Sequence, residues 1–189
     1  MKHAGLVLAA GASTRMGQPK ALLLTPAGIP LAQHQANLLR CAGCDEVLVV
    51  LGSDFENITN RLPGCKTVRN PEWETGRFSS IQAGLRALQA FDGCFILPVD
   101  TVGISLKTLA ATRYFAEQKS PVAVRPTFKG ADGKIAWISK QFANEITHSE
   151  TADTRLDLIL QEKAVRIPVE DPATLNNVNT PEEWKNVAW

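Results

Sequence analysis

The chain has 189 residues, 44% hydrophobic and 21% charged, with 20 Lys+Arg against 19 Asp+Glu and a formal net charge of +1. That length fits one compact domain, against a norm of about 100–200 residues, and the charge balance excludes a chain whose main work is electrostatic binding to a nucleic-acid backbone or an anionic membrane. A small anionic ligand stays open, because a few fixed donors in a cleft bind phosphate without moving the net charge.

Met1 to Gly5 leads into an apolar stretch that stops at Gly11, too short for a membrane span and without a signal peptide's cleavage region. Gly5 to Ala10 is therefore read as a buried strand of a cytoplasmic protein. Leu31 to Ala42 carries apolar residues at helical spacing and ends at Gly43, a usual helix stop, before the strand Glu46 to Leu51. A helix opening near Ser53-Asp54, a strand from Lys66 to Arg69, a helix from Ser79 to Phe91 and a strand from Cys94 to Leu97 continue the alternation. Ser105 to Gln118 reads as a helix, Pro121 to Val124 as a strand and Lys134 to Ile138 as its hairpin partner. Phe142 to Ile146 and Arg155 to Glu162 read as helical and Val165 to Val169 as extended. Thr180-Pro181-Glu182-Glu183 is a helix start, with Thr as N-cap, Pro at N1 and Glu at N3. Short apolar runs alternating with helical segments predict an α/β fold of three layers, α/β/α, around a Rossmann-like, mostly parallel sheet. No repeat, low-complexity tract or linker divides the chain, so residues 1–189 are expected to form a single domain.

Four cysteines fit a reducing compartment, and Cys41-Ala42-Gly43-Cys44 has no second pair to complete a metal site. Redox chemistry there competes with two packed thiols at a helix end. The chemistry points instead to Leu8 through Lys20, which follows a predicted strand and holds Gly11, Gly17, Ser13, Thr14, Arg15 and Lys20. Such a loop can turn backbone N–H groups toward phosphate oxygens while Arg15 and Lys20 neutralise charge from either side. It matches neither GxxxxGK[ST], since Gly11 and Gly17 are one residue too far apart, nor GxGxxG; a structural turn with incidental cations is the alternative. Asp100 falls just past a strand's C-terminal end, the edge where open α/β sheets bind ligands.

These residues resemble a known family. Leu8-Ala9-Ala10-Gly11, then Ser13, Arg15-Met16-Gly17, Pro19-Lys20 and Leu22-Leu23, are similar to the signature loop of the molybdenum cofactor nucleotidylyltransferases, which belong to a wider superfamily of sugar-nucleotide and cytidylyl transferases. Asn70-Pro71-Glu72-Trp73 with Gly76, Ser80, Gly84 and Leu85 resembles the second block, and Pro98-Val99-Asp100 the metal-binding aspartate. Pro121 to Pro126, Thr151-Ala152-Asp153 and Asn177 to Glu183 are similar to later blocks in the same order. The resemblance implies the fold of the nucleotide-diphospho-sugar transferases, with a nucleotide-binding half at about 1–104 and an acceptor-binding half at about 105–189. It also implies transfer of a nucleoside monophosphate from CTP or GTP to a phosphorylated small-molecule acceptor, molybdopterin first, with pyrophosphate released. Sugar- or alcohol-phosphate nucleotidyl transfer and a non-catalytic nucleotide-binding accessory role are the rivals.

On this resemblance the catalytic residues are Arg15, Lys20 and Asp100. Leu8, Ala10, Gly11, Ala12, Ser13, Arg15, Gly17, Lys20 and Ser80 bind the nucleotide, and Asp100 binds Mg²⁺, a hard cation that prefers carboxylate, phosphate and water oxygens. Neither nucleic acid nor membrane is an expected partner; transient contact with a molybdoenzyme or its chaperone is. Bland readings stand beside some of these: Asp100 as a turn residue, Ser80 as a helix cap, His34 as a packed side chain, Arg125 as half of an ion pair. Asn179 stands where many superfamily members carry a second carboxylate, either assisting the metal indirectly or holding the Thr180 turn. The sequence departs from the family in two places. Asp100-Thr101-Val102 replaces Asp-x-Pro, and Gly133-Lys134-Ile135 replaces a Gly-His-Pro stretch on the acceptor side, leaving Lys134 to meet a different phosphorylated acceptor. Ala10, where guanylyl members commonly carry glycine, leans toward the cytidylyl type. The four tryptophans are dispersed and suggest no base-stacking ladder.

Overall fold

The computed structural model describes residues 1–149, 156–187 and 189. The strands are β1 (His3–Leu8), β2 (Glu46–Leu51), β3 (Lys66–Arg69), β4 (Gly93–Pro98), β5 (Ala123–Phe128), β6 (Ala131–Asp132), β7 (Ala136–Ser139) and β8 (Ala164–Pro168). The helices are α1 (Leu31–Cys41), α2 (Phe55–Asn60), α3 (Arg77–Ala87), α4 (Leu106–Lys119), α5 (Lys140–Thr147), α6 (Leu156–Lys163) and α7 (Pro181–Lys185).

One sheet runs in the order β3-β2-β1-β4-β7-β5-β6, with β8 also pairing to β5. The β1–β2, β1–β4, β2–β3 and β5–β8 pairs are parallel; β7 runs antiparallel between β4 and β5, and β6 is an antiparallel partner of β5. Strand alternation sorts side chains to two faces. Val7, Val49, Leu51, Phe95 and Leu97 pack with Leu31, Leu39, Ile58 and Leu109 of α1, α2 and α4. Leu6, Leu8, Leu48, Val50 and Ile96 face the other way, against Phe78, Ile81 and Leu85 of α3, Phe142 and Ile146 of α5 and Leu160 of α6. Helices on both faces of a mostly parallel sheet are the three-layer arrangement expected from the sequence.

Several boundaries move. The first strand stops at Leu8, the last residue paired to both β2 and β4, although Ala9 N–H still donates to Val50 O of β2 and Ala10 O accepts from Ser53 N–H beyond it. The third helix begins at Arg77, two residues early, with Gly76 as its N-cap, and ends at Ala87, so buried Phe91 lies beyond it. The expected strand at Pro121 starts at Ala123 and continues through Pro126 to Phe128. The expected Arg155–Glu162 helix is seen over Leu156–Lys163; Arg155 and the Thr151-Ala152-Asp153 block lie outside the described residues. Gly43 follows α1 with φ +93°, as a helix-stopping glycine should. The neighbouring cysteines are not a packed pair: Cys41 is exposed while Cys44 is buried, and burial pushes the Cys44 thiol up to about 12. That thiol stays protonated, which leaves it inert. Two of the tryptophans meet, Trp184 and Trp189 lying edge to face at 5.2 Å, with His34 against Trp189 at 5.4 Å. Burial of His34 lowers its pKa, so it is a packed neutral side chain.

Candidate active site

The β1 connection turns one way to β2 while β4 lies on the other side, so the sheet order reverses at β1. Ligands in open α/β sheets settle outside the strand C-termini at such a reversal. A cleft of about 400 Å³ opens there, over Leu8 and Pro98 at the ends of β1 and β4. Its walls include Ala9, Ala10, Gly11, Ser13, Arg15 and Lys20 from the first loop, Trp73, Glu74, Gly76, Arg77 and Ser80 from the start of α3, and Val99, Asp100 and Asn179.

The loop from Gly11 to Lys20 is shaped by two short 3-10 turns, Thr14–Met16 and Lys20–Leu22. Ser13 (φ +55°) and Gly17 (φ +73°) bracket the first turn in the left-handed region, and buried Met16 pins it to the core. Ser13 is held there by its carbonyl, which accepts from Met16 N–H at 2.9 Å, and by its Oγ, which accepts from Lys20 N–H at 3.1 Å. A Cβ built at Gly11 or at Gly17 meets no protein atom within 4 Å, and of the two only Gly11 lines the cleft.

Lys20 and Asp100 meet across the cleft floor. Lys20 Nζ donates to Asp100 Oδ2 and to Asn179 Oδ1, both at 2.8 Å. The two side chains are only 13% and 16% exposed, so the pair is partly withdrawn from water. Asn177, in the amide orientation that partners both its ends, donates to Asp100 Oδ2 at 2.8 Å and Oδ1 at 3.2 Å while its oxygen accepts from Asn179 Nδ2. The main chain closes the same ring: Val178 N–H donates to Asp100 O at 2.9 Å. Helix α7 fixes this strap from behind. Glu183 accepts from Asn179 N–H at 2.6 Å and Thr180 N–H at 3.1 Å, bonds that hold its carboxyl below the ordinary carboxylate range. Thr180 accepts from Glu183 N–H, completing the capping box that the sequence predicts.

Ser80 is not a cap. Gly76 is the N-cap of α3, Ser79 has its hydroxyl placed to donate to Gly76 O and Glu72 O, and Ser80 is 4% exposed and turned to the cleft. Asn70 Nδ2 donates to both hydroxyls, at 2.9 and 3.0 Å, and its Oδ1 accepts from Glu72 N–H. Ser80 Oγ thus accepts from Asn70, and its own proton has no acceptor among the described residues.

The structure brings Leu8, Ala10, Gly11, Ser13, Arg15, Lys20, Ser80 and Asp100 to one cleft; Ala12 and Gly17 belong to the same loop but stand outside its lining. Arg125 and Lys134 lie apart. The Arg125 guanidinium is buried, donating to Gly133 O and Asp157 Oδ1 at 2.8 Å each, with Asp132 at 3.6 Å, which makes it half of an ion-pair network. Lys134 is exposed and outside the cleft lining. Sequence reasoning gave no site role to Trp73, Glu74 or Arg77, although Trp73 stands in the second family block. Gly52 leaves room for the Trp73 side chain, since a Cβ there would clash with Trp73 Cβ and Ala10 O.

A divalent cation fits the donor set. Asp100 Oδ2 and Asn179 Oδ1 are hard oxygens that already hold one cationic atom, the Lys20 ammonium, 2.8 Å from each. No group of three His, Cys, Asp or Glu side chains suited to a metal occurs among the described residues, so most of the coordination sphere would come from substrate and water. No helix among the described residues is long and apolar enough to cross a membrane.

Residues 5–167 match the family described as MobA-like NTP transferase domain. The chain belongs to that family. Among curated relatives it is 34% identical over 107 residues to a nicotine blue oxidoreductase of Paenarthrobacter nicotinovorans, covering 56% of this chain and 52% of that one. It is 29% identical over 123 residues to a probable molybdenum cofactor guanylyltransferase of Rhodopirellula baltica (64% and 58% covered). Over 182 residues it is 22% identical to the molybdenum cofactor cytidylyltransferase of Escherichia coli (95% and 92%). The chain thus spans about half the length of the first two relatives. A manganese complex of Rv0371C from Mycobacterium tuberculosis shares the MobA-like fold, with TM-score 0.75 and 19% identity over 98% of this chain and 97% of that one.

Proposed function

We propose that this MobA-like protein moves a nucleoside monophosphate from CTP or GTP to a phosphorylated acceptor, molybdopterin foremost, and releases pyrophosphate. The observation that carries the reading is the Lys20–Asp100 pair set beside a glycine loop with open space at Gly11. An acceptor phosphate oxygen attacks the α-phosphorus, and the bond from that phosphorus to the bridging oxygen of the leaving pyrophosphate breaks in line. The attacking oxygen is already anionic, so no general base is required; positioning and charge stabilisation carry the rate. Arg15 and Lys20 hold the β- and γ-phosphates and stabilise charge developing on pyrophosphate, while the backbone at Gly11 lets the phosphates approach closely. Asp100, with Asn179 nearby, holds the divalent cation, Mg²⁺ in this reading, which when bound neutralises phosphate oxygens. Ser80 offers its proton to the nucleobase.

The acceptor enters from residues 105–189, the second half of a single 1–189 domain. Since Arg125 and Lys134 stand outside the cleft, its phosphate meets Arg77, the remaining cation of the wall. The relative named as an oxidoreductase supports a second reading, in which the same phosphate-binding groups take the pyrophosphate of a redox dinucleotide. One assay series separates the readings. Pyrophosphate release is followed with CTP or GTP, Mg²⁺ and molybdopterin, then with a panel of sugar and alcohol phosphates, beside a parallel assay for oxidation of a reduced nicotinamide dinucleotide. Release with molybdopterin supports the proposal, and release with another phosphate moves the acceptor. Nucleotide binding without release from any acceptor overturns it in favour of an accessory or redox role.

A further inference from the structure

The Lys20 ammonium and a divalent cation compete for the same oxygens. Asp100 Oδ2 receives Lys20 Nζ and Asn177 Nδ2, each at 2.8 Å, and Lys20 Nζ also takes Asn179 Oδ1 at 2.8 Å. With an amide at position 179, Asp100 is the one carboxylate among the described residues bonded to Lys20, and Lys20 cancels its charge. A divalent cation arriving alone would have to displace a partly desolvated ion pair and an amide, where no group of three acidic, His or Cys side chains among the described residues gathers to compensate. A triphosphate changes the balance, because its oxygens offer Lys20 more negative charge than Asp100 does. Only the side chain needs to move: the Lys20 main chain is tied by Ser13 Oγ, and its stem turns about flexible bonds.

We infer that Lys20, held by Asn179 against an Asp100 that Asn177 orients, occupies the cation position at Asp100 in the nucleotide-free protein, so that a divalent cation reaches Asp100 only with a triphosphate that draws Lys20 away. Lys20 thereby has two stations, one on Asp100 and one on the phosphates, and Asn179 is the positioning residue that holds the first. The inference rests on the reading of Asp100 as the metal carboxylate.

The test is equilibrium binding of Mn²⁺, read by electron paramagnetic resonance of the free ion, with and without a non-hydrolysable α,β-methylene analogue of CTP or GTP. Nucleotide-free wild type should bind Mn²⁺ weakly, and Lys20→Met should bind it about tenfold more tightly or better, the size of an ordinary coupling between two ligands. Lys20→Gln serves if the methionine variant does not fold, as judged by circular dichroism. Arg15→Met removes a cation from the same cleft without a bond to Asp100, and should change Mn²⁺ affinity by no more than about twofold. Equal Mn²⁺ affinity in wild type and Lys20→Met overturns the inference, as does an equal gain in Arg15→Met. Asp100→Asn with the nucleotide analogue bound checks the underlying reading separately. If Mn²⁺ binds there as tightly as in wild type, Asp100 is not the metal carboxylate and both fall; if it weakens about tenfold or more while Lys20→Met gains nothing, only the competition fails.

Discussion

Lys20 and Asp100 are 80 positions apart in sequence and 2.8 Å apart in space, and the site depends on that one contact. On the proposed function, replacing either with alanine removes a group that meets the phosphates or their counter-ion. Each variant should lower turnover by at least about tenfold, on the order of 1.4 kcal/mol of transition-state stabilisation, with a normal far-ultraviolet dichroism spectrum. Wild-type rates in either folded variant would remove the residue from the mechanism. Gly11 makes the complementary case. A Cβ there touches nothing in the protein, so Gly11→Ala should leave the urea midpoint nearly unchanged, within about 0.5 kcal/mol. Nucleotide affinity, measured by calorimetry, should still fall about tenfold, because the methyl group occupies the space through which phosphate approaches the backbone. A loss of stability with intact affinity would mean that the glycine serves the fold alone.

At the scale of elements, loops hold the site and helix ends hold the loops. Asp171 shows how. It accepts from Ser105 N–H and Oγ, from Thr108 Oγ1 at 2.6 Å and from Ala173 N–H, tying the start of α4 to the turn before Val178. Burial raises its pKa, but those hydrogen bonds outweigh burial and hold the carboxyl below its ordinary value of 3.8. A lowered folded value means stability that is fully present above the ordinary value and lost as pH falls through the folded one. Urea unfolding should therefore weaken progressively below about pH 4, and Asp171→Asn should flatten that slope while costing about 2 kcal/mol at pH 7. An unchanged acid slope in the variant would sink the assignment. Much of this scale was legible in the sequence. Periodicity located the helices and strands, and Thr180-Pro181-Glu182-Glu183 announced its capping box. Strand ends were less legible, because Ala9 and Ala10 continue the apolar run of β1 past Leu8, the last residue paired to both β2 and β4. The Gly11 loop and Asp100 could be found as motifs. Of the strap from Asn177 to Asn179, the resemblance offered Asn179 a role beside the metal, but the bonds of Asn177 to Asp100 and of Asn179 to Lys20 depend on tertiary closure and could not be read. Arg77 and Trp73 gained no site role for the same reason: they line the cleft only because the start of α3 and the 3-10 turn before it, Trp73–Thr75, are brought to it by the fold.

Across the whole molecule, the cleft sits at one edge of the sheet and a second buried network sits at the other. Trp137 of β7 is fully buried; its Nε1–H donates to His3 Nδ1 at 3.2 Å, and His3 Nε2 meets Glu117 of α4 at 3.0 Å. The indole reaches His3 on β1 by passing over Gly93 of β4, where any Cβ would fall 2.0 Å from the ring. One missing side chain thus lets β7, β4, β1 and α4 lock together, joining the two halves of the chain. His3 and Gly93 begin their strands, whereas the cleft lies past Leu8 and Pro98 at the far ends, five residues or about 17 Å away. Stability and ligand binding should therefore separate. Gly93→Ala must displace the indole and should cost about 1–3 kcal/mol, the usual range for forcing an extra methyl into a packed core. Because the lock spans both halves, fluorescence and circular dichroism should follow one coincident urea transition at a lower midpoint, while the folded variant binds nucleotide as wild type does. Two separated transitions would mean that the halves unfold independently, and a loss of nucleotide affinity would mean that the two edges of the sheet are coupled.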